Sequence, residues 1–488
     1  MNAFPDYRVE HLVSSRSDHC PVLIKLKVDG GRRQMIPSRK YECYWEREES
    51  LREEIEGAWE GQMKATNLNE VQNKLSGLMD TLQSWSRRTI GSVSKKIENL
   101  RKQLGVVSAY HDDFSTKEKR RLSLELDELL AKEEIKWKQR SRINWLKAGD
   151  QNTAYFHRKA TWRSKKNNIA KLVKSDGSAR ENIDEIKEMA TDFFKTLYSK
   201  DDNIEPGEVL HLFQNKISDN MNKELCKDFT AEEIGDALFQ IGPMKAPGTD
   251  GYPSRFFQRN WDLVKDEITS AVMDFFRTGT MPEGLNDTSI VLIPKTKDAS
   301  NLKDYIPISL CNVTYKIISK CIVNRLRPLL DDIISPTQSA FIPGRMITDN
   351  ALIAFECIYA IQKNSDKRGK YCAYKLDLTK AYDRVDWTFL EGALRKLGFG
   401  EQWIKWTMAC VTSVRYAVRL NGCLLDSFQP TRGLRQGDPL SPYLFQLVPE
   451  CLSNLMEKEI DANNVRDLKI CRKAPGISHL LFADDSML

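Results

Sequence analysis

The sequence lacks several features that would assign it to a common class. It contains no run of about 18 apolar residues, so no segment of its 488 residues is predicted to span a membrane. Its 11 cysteines are scattered singly and never form C-x-x-C, which argues against a zinc ribbon or a disulfide scaffold. The first residues, MNAFPDYRVEHL, do not have the basic and then apolar layout of a secretory signal. We therefore expect a chain with reduced thiols, in the nucleus or the cytoplasm.

The net charge of +6 hides an uneven distribution along the chain. Between Trp85 and Arg180 there are 24 Lys and Arg residues against 11 Asp and Glu residues, a net charge of +13, so the rest of the chain carries −7. The densest stretch, Lys136 to Lys174, has aromatic residues interleaved at Trp137, Trp145, Tyr155, Phe156 and Trp162. Basic side chains neutralise nucleic-acid phosphates and aromatic rings stack on unpaired bases. A solvated helix face with ordinary aromatic anchors would give the same pattern, so charge alone leaves both interpretations open.

The distribution of proline and the periodicity of apolar residues divide the chain into two parts. Residues 46–147 contain no proline, and apolar residues recur there at helical spacing, which predicts long amphipathic helices with a break near Ser108–Ser115. After Pro243, short apolar strands alternate with helical stretches in an irregular order, which predicts an α+β fold. The clearest local signals are an Asp176-Gly177 turn, a Thr230/Glu233 capping box and an Asn421-Gly422 hairpin.

Acidic residues follow apolar strands at two places. Asp377 stands at the strand end in YCAYKLDLTKAYDRVDW, and Asp484 and Asp485 follow the apolar run in ISHLLFADDSML. Adjacent aspartates repel each other, and a bound divalent cation would offset that repulsion. Three carboxylates at one end of a sheet can hold two Mg²⁺ ions about 3.5–4 Å apart, an arrangement that activates a 3′-hydroxyl and stabilises a leaving pyrophosphate. An Asp-Asp pair alone is more typical of a turn.

Further motifs surround these acids in a fixed order. They are KAPGTDGYPSRFFQ, SIVLIPKTKDASNLKDYIPISLCNVTYKIISKCIVNRL, QSAFIPGRMITDN, KLDLTKAYDRVDW, GLRQGDPLSPYLF and FADD. Together they resemble the reverse transcriptase of LINE-type non-LTR retrotransposons, most closely those of plants, over nearly the whole chain. The resemblance implies an α+β fold with right-hand polymerase fingers and a partial palm, preceded by a long helical region.

The resemblance also implies an activity, its cofactors and its partners. An RNA-directed DNA polymerase extends a DNA primer on an RNA template with dNTPs, using two Mg²⁺ ions, for which Mn²⁺ is an alternative. Asp377, Asp484 and Asp485 would be both the catalytic residues and the metal ligands.

Other residues match the nucleotide pocket of the family. Tyr382 matches the aromatic residue that packs under the incoming sugar and rejects a 2′-hydroxyl. Gln436 and Gly437 match the segment that lines the nucleotide and template pocket, where glycine permits close backbone approach. Asp383 and Asp386, by contrast, are expected to be structural or solvent-facing.

One position departs from the family pattern. The family usually has Arg before Pro-Ile-Ser-Leu, where it contacts the nucleotide triphosphate, and this chain has Ile306. An apolar residue cannot pair with phosphate, so we expect nucleotide binding to weaken by roughly 1.5–3 kcal/mol. Lys295 or Lys303 could replace the missing cation. We interpret Ile306 as a sign of mutational decay.

Both ends resemble interrupted domains. VEHLVSSRSDHCPVLIKL resembles the last strand of the endonuclease that precedes the polymerase in such elements, with Asp18 and His19 as remnants of the pair that activates water. Only three residues follow Asp485, and we expect the Asp-Asp pair to lie on a strand without a return partner. The predicted domains are an endonuclease/exonuclease/phosphatase-like remnant at 1–30, a helical linker at 44–150, a basic N-terminal extension of the polymerase at 151–240, and fingers and palm at 241–488, truncated after the Asp-Asp motif.

The basic stretch gains a functional interpretation from the same resemblance. In the family, a motif like WLKAGDQNTAYFHRKATWRSKKNNI lies between endonuclease and polymerase, where contacts with template RNA are expected. The residues expected to bind nucleic acid are Lys147, Arg158, Lys159, Arg163, Lys165 and Lys166. His157 has no metal partner at ligand spacing and is assigned to packing.

Two functions therefore stay open. The first is a reverse transcriptase impaired by truncation, and the second is a catalytically silent nucleic-acid-binding remnant of such an element. A nuclease would require the upstream domain.

Overall fold

The computed structural model describes residues 7–11, 22–26, 39–108, 110, 112–142, 153–174, 176–200, 207–363, 371–471 and 473–488. Contacts divide the chain into two compact units. The first consists of Met1–Met63 and Lys74–Asn168, and the second of Lys64–Asn73 and Ile169–Leu488. Within the described ranges, no helix is both long and apolar enough to cross a membrane.

The first unit is mainly helical, as its lack of proline predicts. Its elements are β1 (Tyr7–His11), β2 (Val22–Leu26), α1 (Leu51–Glu60), α2 (Leu68–Thr89), whose first turns belong to the second unit, α3 (Val93–Val107), α4 (Asp113–Ser141) and α5 (Thr153–Lys166). β1 and β2 pair as an antiparallel hairpin. Tryptophans anchor the core of this unit, with the rings of Trp45 and Trp85 meeting edge to face at 6.1 Å.

The predicted break between two long helices is confirmed. α3 ends at Val107, and α4 begins after Asp112, whose side chain accepts the Ser115 N–H at 2.7 Å. This N-cap satisfies one of the backbone donors that a helix start leaves unpaired. The two helices pack against each other, so the chain folds back at this point.

The second unit mixes helices and strands. Its elements are β3 (Leu172–Val173), β4 (Ala179–Arg180), α6 (Ile183–Leu197), α7 (Gly207–Leu210), α8 (Asp219–Leu225), α9 (Ala231–Phe239), α10 (Ser254–Arg259), α11 (Trp261–Thr278), β5 (Asp287–Pro294), β6 (Tyr305–Leu310), α12 (Val313–Leu326), α13 (Leu330–Ile333), α14 (Ile347–Lys363), β7 (Lys375–Asp377), α15 (Trp387–Leu397), α16 (Glu401–Thr412), β8 (Arg415–Leu420), β9 (Cys423–Phe428), α17 (Ser441–Phe445), α18 (Leu447–Asp461), β10 (Leu468–Lys469), β11 (Gly476–Ile477), β12 (Leu480–Phe482) and β13 (Asp485–Met487).

The local sequence signals are confirmed in this unit. β3 and β4 form the predicted hairpin, and Gly177 adopts a φ of 82° in its turn. The Thr230 side chain and the Glu233 side chain cap α9 reciprocally. Asn421 and Gly422, both with positive φ, connect β8 and β9.

A four-stranded sheet in the order β6-β5-β8-β9 lies in the second unit, in the part expected to form the fingers. β5 pairs antiparallel with β6, which places Ile293 opposite Ile306, and parallel with β8. One face of this sheet packs on α6, where Phe194, Tyr198 and Tyr416 are buried in a common core. The alternating burial along β6 leaves Ile306 and Ile308 on the opposite, half-buried face.

A second sheet, in the order β12-β13-β7, carries the acidic residues. The expectation that the Asp-Asp pair lacks a return strand is wrong. β13 is that return strand, because it pairs antiparallel with β12 on one side and with β7 on the other. Leu488 extends the ladder by exchanging two backbone hydrogen bonds with Tyr374, at 2.8 and 2.9 Å. Three residues suffice because both neighbouring strands supply them with partners.

Candidate functional site

The paired strands bring two of the predicted aspartates together. Asp485 on β13 lies directly opposite Asp377 on β7 in the antiparallel register. Opposed residues in such a pair project to the same face, with Cβ atoms about 4.5–5.5 Å apart. Both residues are exposed. The arrangement therefore presents two carboxylates side by side to solvent.

Asp484 stands in the two-residue turn between β12 and β13, one position before Asp485. It is half-buried, and its carboxylate is close enough to Tyr382 to act on it electrostatically. Burial, and after it this carboxylate, raises the pKa of Tyr382. The turn thus directs Asp484 toward the residue expected to discriminate the incoming sugar.

The donor chemistry of this site fits a hard divalent cation, because Mg²⁺ prefers carboxylate oxygens and keeps several waters. Within the described part of the chain, however, no three His, Cys, Asp or Glu side chains are grouped closely enough to hold an ion as they stand. One carboxylate already has a partner, since Lys375 Nζ lies 3.1 Å from Asp485 Oδ1. A metal ion that bound through Asp485 Oδ1 would compete with this ammonium group.

Tyr382 is held by contacts on both its ring and its backbone. Its ring stacks on Phe445 with a centroid distance of 4.3 Å and an interplanar angle of 11°. Its carbonyl oxygen accepts the Leu434 N–H at 2.7 Å. The ring is therefore fixed in one orientation, as steric exclusion of a sugar hydroxyl would require.

The segment Gly433–Gly437 runs along strand β6. The Ser309 N–H donates to the Gln436 carbonyl oxygen at 2.8 Å. Gly437 has a φ of 111°, and a Cβ there would lie 3.0 Å from the Ser309 carbonyl oxygen. Glycine is favoured on both counts, and it lets the backbone of this segment approach the backbone of β6 at the free edge of the sheet.

Arg435 of this segment forms a buried ion pair with Asp438, which was not predicted from the sequence. Arg435 Nη2 lies 3.2 Å from Asp438 Oδ2, and each side chain is 3% exposed. Asp438 also accepts hydrogen bonds from Tyr315 Oη at 2.8 Å and Ser319 Oγ at 2.6 Å, both on α12. The Arg435 guanidinium in turn donates to Tyr315 Oη and to the Asn286 side chain. This network ties the segment to the helix that follows the fingers strands.

The cations expected to replace the family's Arg are exposed in the connection between β5 and β6. Lys295 and Lys303 both project into solvent, and the Lys295 N–H donates to the Asp304 carbonyl oxygen at 2.9 Å. Sequence reasoning missed a third cation, Lys380, whose Nζ lies 3.4 Å from the Tyr305 carbonyl oxygen, next to Ile306. Burial lowers the pKa of Lys380, and Lys295 is close enough to add to that effect.

Asp383 and Asp386 have structural roles, as expected. Asp383 is fully buried, and its Oδ1 accepts the Tyr198 hydroxyl at 2.9 Å. Burial raises its pKa to about 6. Asp386 caps α15 by accepting the Phe389 N–H at 2.8 Å.

Helix α5 of the first unit presents the predicted basic residues. Arg158, Lys159, Arg163, Lys165 and Lys166 are all exposed. Trp162 lies among them with 56% of its surface exposed, and the ammonium groups of Lys159 and Lys166 lie 5.8 and 5.4 Å from its ring centroid. His157 packs against the Trp137 ring at 4.2 Å, as assigned. Lys147, Asp18 and His19 lie outside the described residues.

The chain is similar to several known proteins. Residues 293–488 match the family described as "Reverse transcriptase (RNA-dependent DNA polymerase)". The chain is 29% identical over 351 residues to the transposon TX1 uncharacterized 149 kDa protein of Xenopus laevis, which covers 71% of this chain and 26% of that protein. It is 28% identical over 244 residues to the retrovirus-related Pol polyprotein from the type-2 retrotransposable element R2DM of Drosophila melanogaster, covering 48% of this chain and 22% of that polyprotein.

A shorter plant relative matches with higher identity. An uncharacterized mitochondrial protein of Arabidopsis thaliana is 46% identical over 67 residues, 14% of this chain and 55% of that protein. The chain spans about a quarter of the length of the TX1 and R2DM proteins. Residues 293–488 thus match a reverse transcriptase family and are similar to parts of proteins from non-LTR retrotransposons, and the predicted α+β polymerase fold preceded by a helical region is confirmed.

Proposed function

We propose that this reverse transcriptase domain is an RNA-directed DNA polymerase that extends a DNA primer on an RNA template. The observation that carries the proposal is the register of β7 and β13, which sets Asp485 opposite Asp377 with Asp484 in the adjoining turn. Residues from two distant motifs meet there, and carboxylates collected at one sheet end are the group that nucleotidyl transfer needs.

In the proposed reaction, the primer 3′-oxygen forms a bond to the α-phosphorus of a dNTP. The bond from that phosphorus to the β-phosphate bridging oxygen breaks, pyrophosphate leaves, and the hydroxyl proton passes to solvent. Two Mg²⁺ ions, or Mn²⁺ in their place, would lower the pKa of the attacking hydroxyl and neutralise charge on the leaving pyrophosphate. Asp377, Asp484 and Asp485 would hold them with carboxylate oxygens.

Other residues of the chain would position the nucleotide. Tyr382, fixed by its stack on Phe445, would lie under the sugar and exclude a 2′-hydroxyl. Gln436 and Gly437 would line the base-pair pocket, and Lys295 would contact the triphosphate.

Helix α5 would contribute nucleic-acid binding. Its exposed basic residues surround an exposed indole ring, which combines phosphate neutralisation with a stacking face. We propose that Arg158, Lys159, Arg163, Lys165 and Lys166, together with Lys147, contact the template.

The identity with the Arabidopsis protein supports a plant element as the source of the domain. A chain with these functions would work in the nucleus or the cytoplasm, where its template and chromosomal target are found.

The polymerase proposal is tested by incorporation of labelled dTTP on poly(rA)/oligo(dT) with Mg²⁺. The wild-type chain is expected to extend the primer, and Asp484→Ala and Asp485→Ala are each expected to reduce incorporation at least about 100-fold, since each removes a ligand used in the transition state. Incorporation by both variants at the wild-type rate would refute the site assignment.

A catalytically silent nucleic-acid-binding protein is the second candidate. Ile306 favours it, because no side chain on the half-buried face of β6 itself carries a charge, and so does the Lys375–Asp485 ion pair. This candidate predicts binding to the same template-primer, with an affinity that falls steeply with salt, and no incorporation. Trp162→Ala should weaken that binding, whereas Tyr110→Ala, which removes an exposed aromatic ring outside α5, should leave the affinity unchanged.

A further inference from the structure

The turn that carries the Asp-Asp pair contains a strained residue. Ala483 lies between β12 and Asp484 with a φ of 54°. A residue with a Cβ reaches this left-handed region only at a cost, and such conformations persist where the surroundings enforce them. Contacts from the surrounding structure must therefore hold this turn in place.

A segment far upstream in sequence supplies those contacts. The Leu481 N–H donates to the Thr337 carbonyl oxygen at 2.9 Å, and the Ser339 N–H donates to the Leu481 carbonyl oxygen at 3.2 Å. Asn350 Nδ2 donates to the same Leu481 oxygen at 2.8 Å and to the Thr337 oxygen at 3.0 Å. Strand β12 is thus clamped on the side opposite β13.

Gln338 extends this clamp to the strained residue itself. Its Oε1 accepts the Ala483 N–H at 3.2 Å and the Ala340 N–H at 2.8 Å. Two backbone donors, one from the clamp and one from the turn, therefore share one carboxamide oxygen. The contact crosses from one motif to the residue that immediately precedes Asp484.

The amide end of Gln338 shows that the side chain is not present for packing alone. The residue is 1% exposed, and its Nε2 has no hydrogen-bond partner among the described residues. A buried donor without a partner is costly, and Leu or Met would fill the same space without that cost. The carboxamide is present in spite of this cost. We therefore attribute its role to the oxygen atom, which accepts both hydrogen bonds.

We infer that Gln338 is a positioning residue for the aspartate turn, holding Ala483 in its left-handed conformation so that Asp484 and Asp485 present their carboxylates together. This inference rests on the proposed function, because the purpose of the turn is to offer those carboxylates to a divalent cation. Gln338 itself touches neither substrate nor ion in this account.

The test compares Gln338→Met with a matched variant, Gln258→Met. Gln258 also makes two hydrogen bonds to main-chain atoms, donating to the carbonyl oxygens of Leu238 and Ile241 at 3.1 and 2.8 Å, but it does not contact the turn. The first measurement is amide hydrogen exchange in the peptide covering 480–488, with the full chain and no metal. Exchange is expected to be about three- to ten-fold faster in Gln338→Met and unchanged in Gln258→Met, as loss of one hydrogen bond predicts.

The second measurement is Mn²⁺ binding, followed by the electron paramagnetic resonance signal of the free ion. The Kd for Mn²⁺ is expected to rise about three- to ten-fold in Gln338→Met, while the KM for dTTP stays within about two-fold of the wild-type value. Gln338→Glu keeps an oxygen acceptor, since burial would hold the carboxyl group protonated, and it should restore most of both effects.

The possible results distinguish a failure of the Gln338 inference from a failure of the proposed polymerase function. Equal exchange and equal Mn²⁺ affinity in Gln338→Met and the wild type would overturn the inference while leaving the polymerase intact. An equal loss in Gln258→Met would also overturn it, because the effect would then be general destabilisation. A wild-type chain that neither binds Mn²⁺ nor incorporates dTTP would overturn the proposed function and, with it, this role for Gln338.

Discussion

The ammonium group of Lys375 lies 3.1 Å from the Asp485 carboxylate. Lys375 is on β7, two residues before Asp377. The register places Lys375 opposite Met487 and Asp377 opposite Asp485, so cation and carboxylates share one face of the sheet. The lysine offsets the repulsion between the two carboxylates in the absence of an ion, and it competes with any ion that binds there.

Replacing this lysine should ease metal binding. In Lys375→Met, the Mg²⁺ concentration that gives half-maximal incorporation is expected to fall about two- to five-fold, a modest change because the pair is solvent-exposed. Lys396→Met, an exposed lysine on α15, is the control and should leave that concentration unchanged. A higher Mg²⁺ requirement in Lys375→Met would show that the lysine assists the site instead of competing.

The fixed ring of Tyr382 predicts sugar selectivity. Tyr382→Val removes the ring that stacks on Phe445, and the ratio of rNTP to dNTP incorporation is expected to rise at least about ten-fold as space for a 2′-hydroxyl opens. Single-nucleotide extension with UTP and dTTP measures this ratio. The exposed Tyr359→Val on α14 serves as the control, and an unchanged ratio in Tyr382→Val would remove the residue from the sugar pocket.

Ile306 lies on an apolar face of β6, at the position where the family usually has Arg. We therefore predict that an arginine at this position would restore a contact with the triphosphate. Ile306→Arg is expected to lower the KM for dTTP by about ten-fold or more, the equivalent of one charge-assisted hydrogen bond. Steady-state extension kinetics measure the change, and Ile306→Met controls for the longer side chain without the charge. If both variants have the wild-type KM, this position does not face the triphosphate.

Because Arg435 and Asp438 are buried together, we predict that their contributions to the free energy of unfolding are strongly coupled. Arg435→Met leaves the Asp438 carboxylate buried without its cation and should lower the free energy of unfolding by about 3–5 kcal/mol. The double variant Arg435→Met/Asp438→Leu should lose less than the sum of the single variants. Urea unfolding measures these values, with the exposed Arg395→Met as a control that should lose less than about 1 kcal/mol. Additive losses would contradict a coupled pair.

The raised pKa of Asp383 predicts a pH dependence of stability. Its folded-state value of about 6 lies above the ordinary 3.8, so the folded chain binds this proton more tightly than the unfolded chain does. The contribution to stability is complete below about pH 4 and is lost as the pH rises through about 6.

Asp383→Asn keeps an acceptor for the Tyr198 hydroxyl but cannot ionise. Its free energy of unfolding relative to the wild type should therefore increase between pH 4 and pH 7, by up to about 3 kcal/mol. Urea unfolding across this range checks the prediction. Parallel pH profiles for the two proteins would show that the pKa of Asp383 is not raised in the folded state.

Sequence reasoning succeeded where the determinants are local. The Thr230/Glu233 capping box, the Asn421-Gly422 hairpin and the helix break before Asp113 depend on residues within a few positions of one another, and the structure contains all three. The resemblance carried by the ordered motifs extended this to the α+β polymerase fold.

The remainder depends on contacts that no local pattern encodes. That three residues after the turn make a strand is decided by the partners on β12 and β7, not by their own propensity. The charges of Arg435 and Asp438 suggest exposure, and only the surrounding helices show that they are buried together. The hydrogen bond from Ala483 to Gln338 likewise joins motifs far apart in sequence.

The central claim is that Asp377, Asp485 opposite it and Asp484 in the adjoining turn serve nucleotidyl transfer, and one comparison tests it most directly. Incorporation of dTTP on poly(rA)/oligo(dT) is measured for the wild type, for Asp377→Ala, and for Asp426→Ala, a matched exposed aspartate on strand β9. The account predicts extension by the wild type and Asp426→Ala, with a loss of at least about 100-fold in Asp377→Ala. Equal incorporation by all three proteins, or none by the wild type, would contradict it.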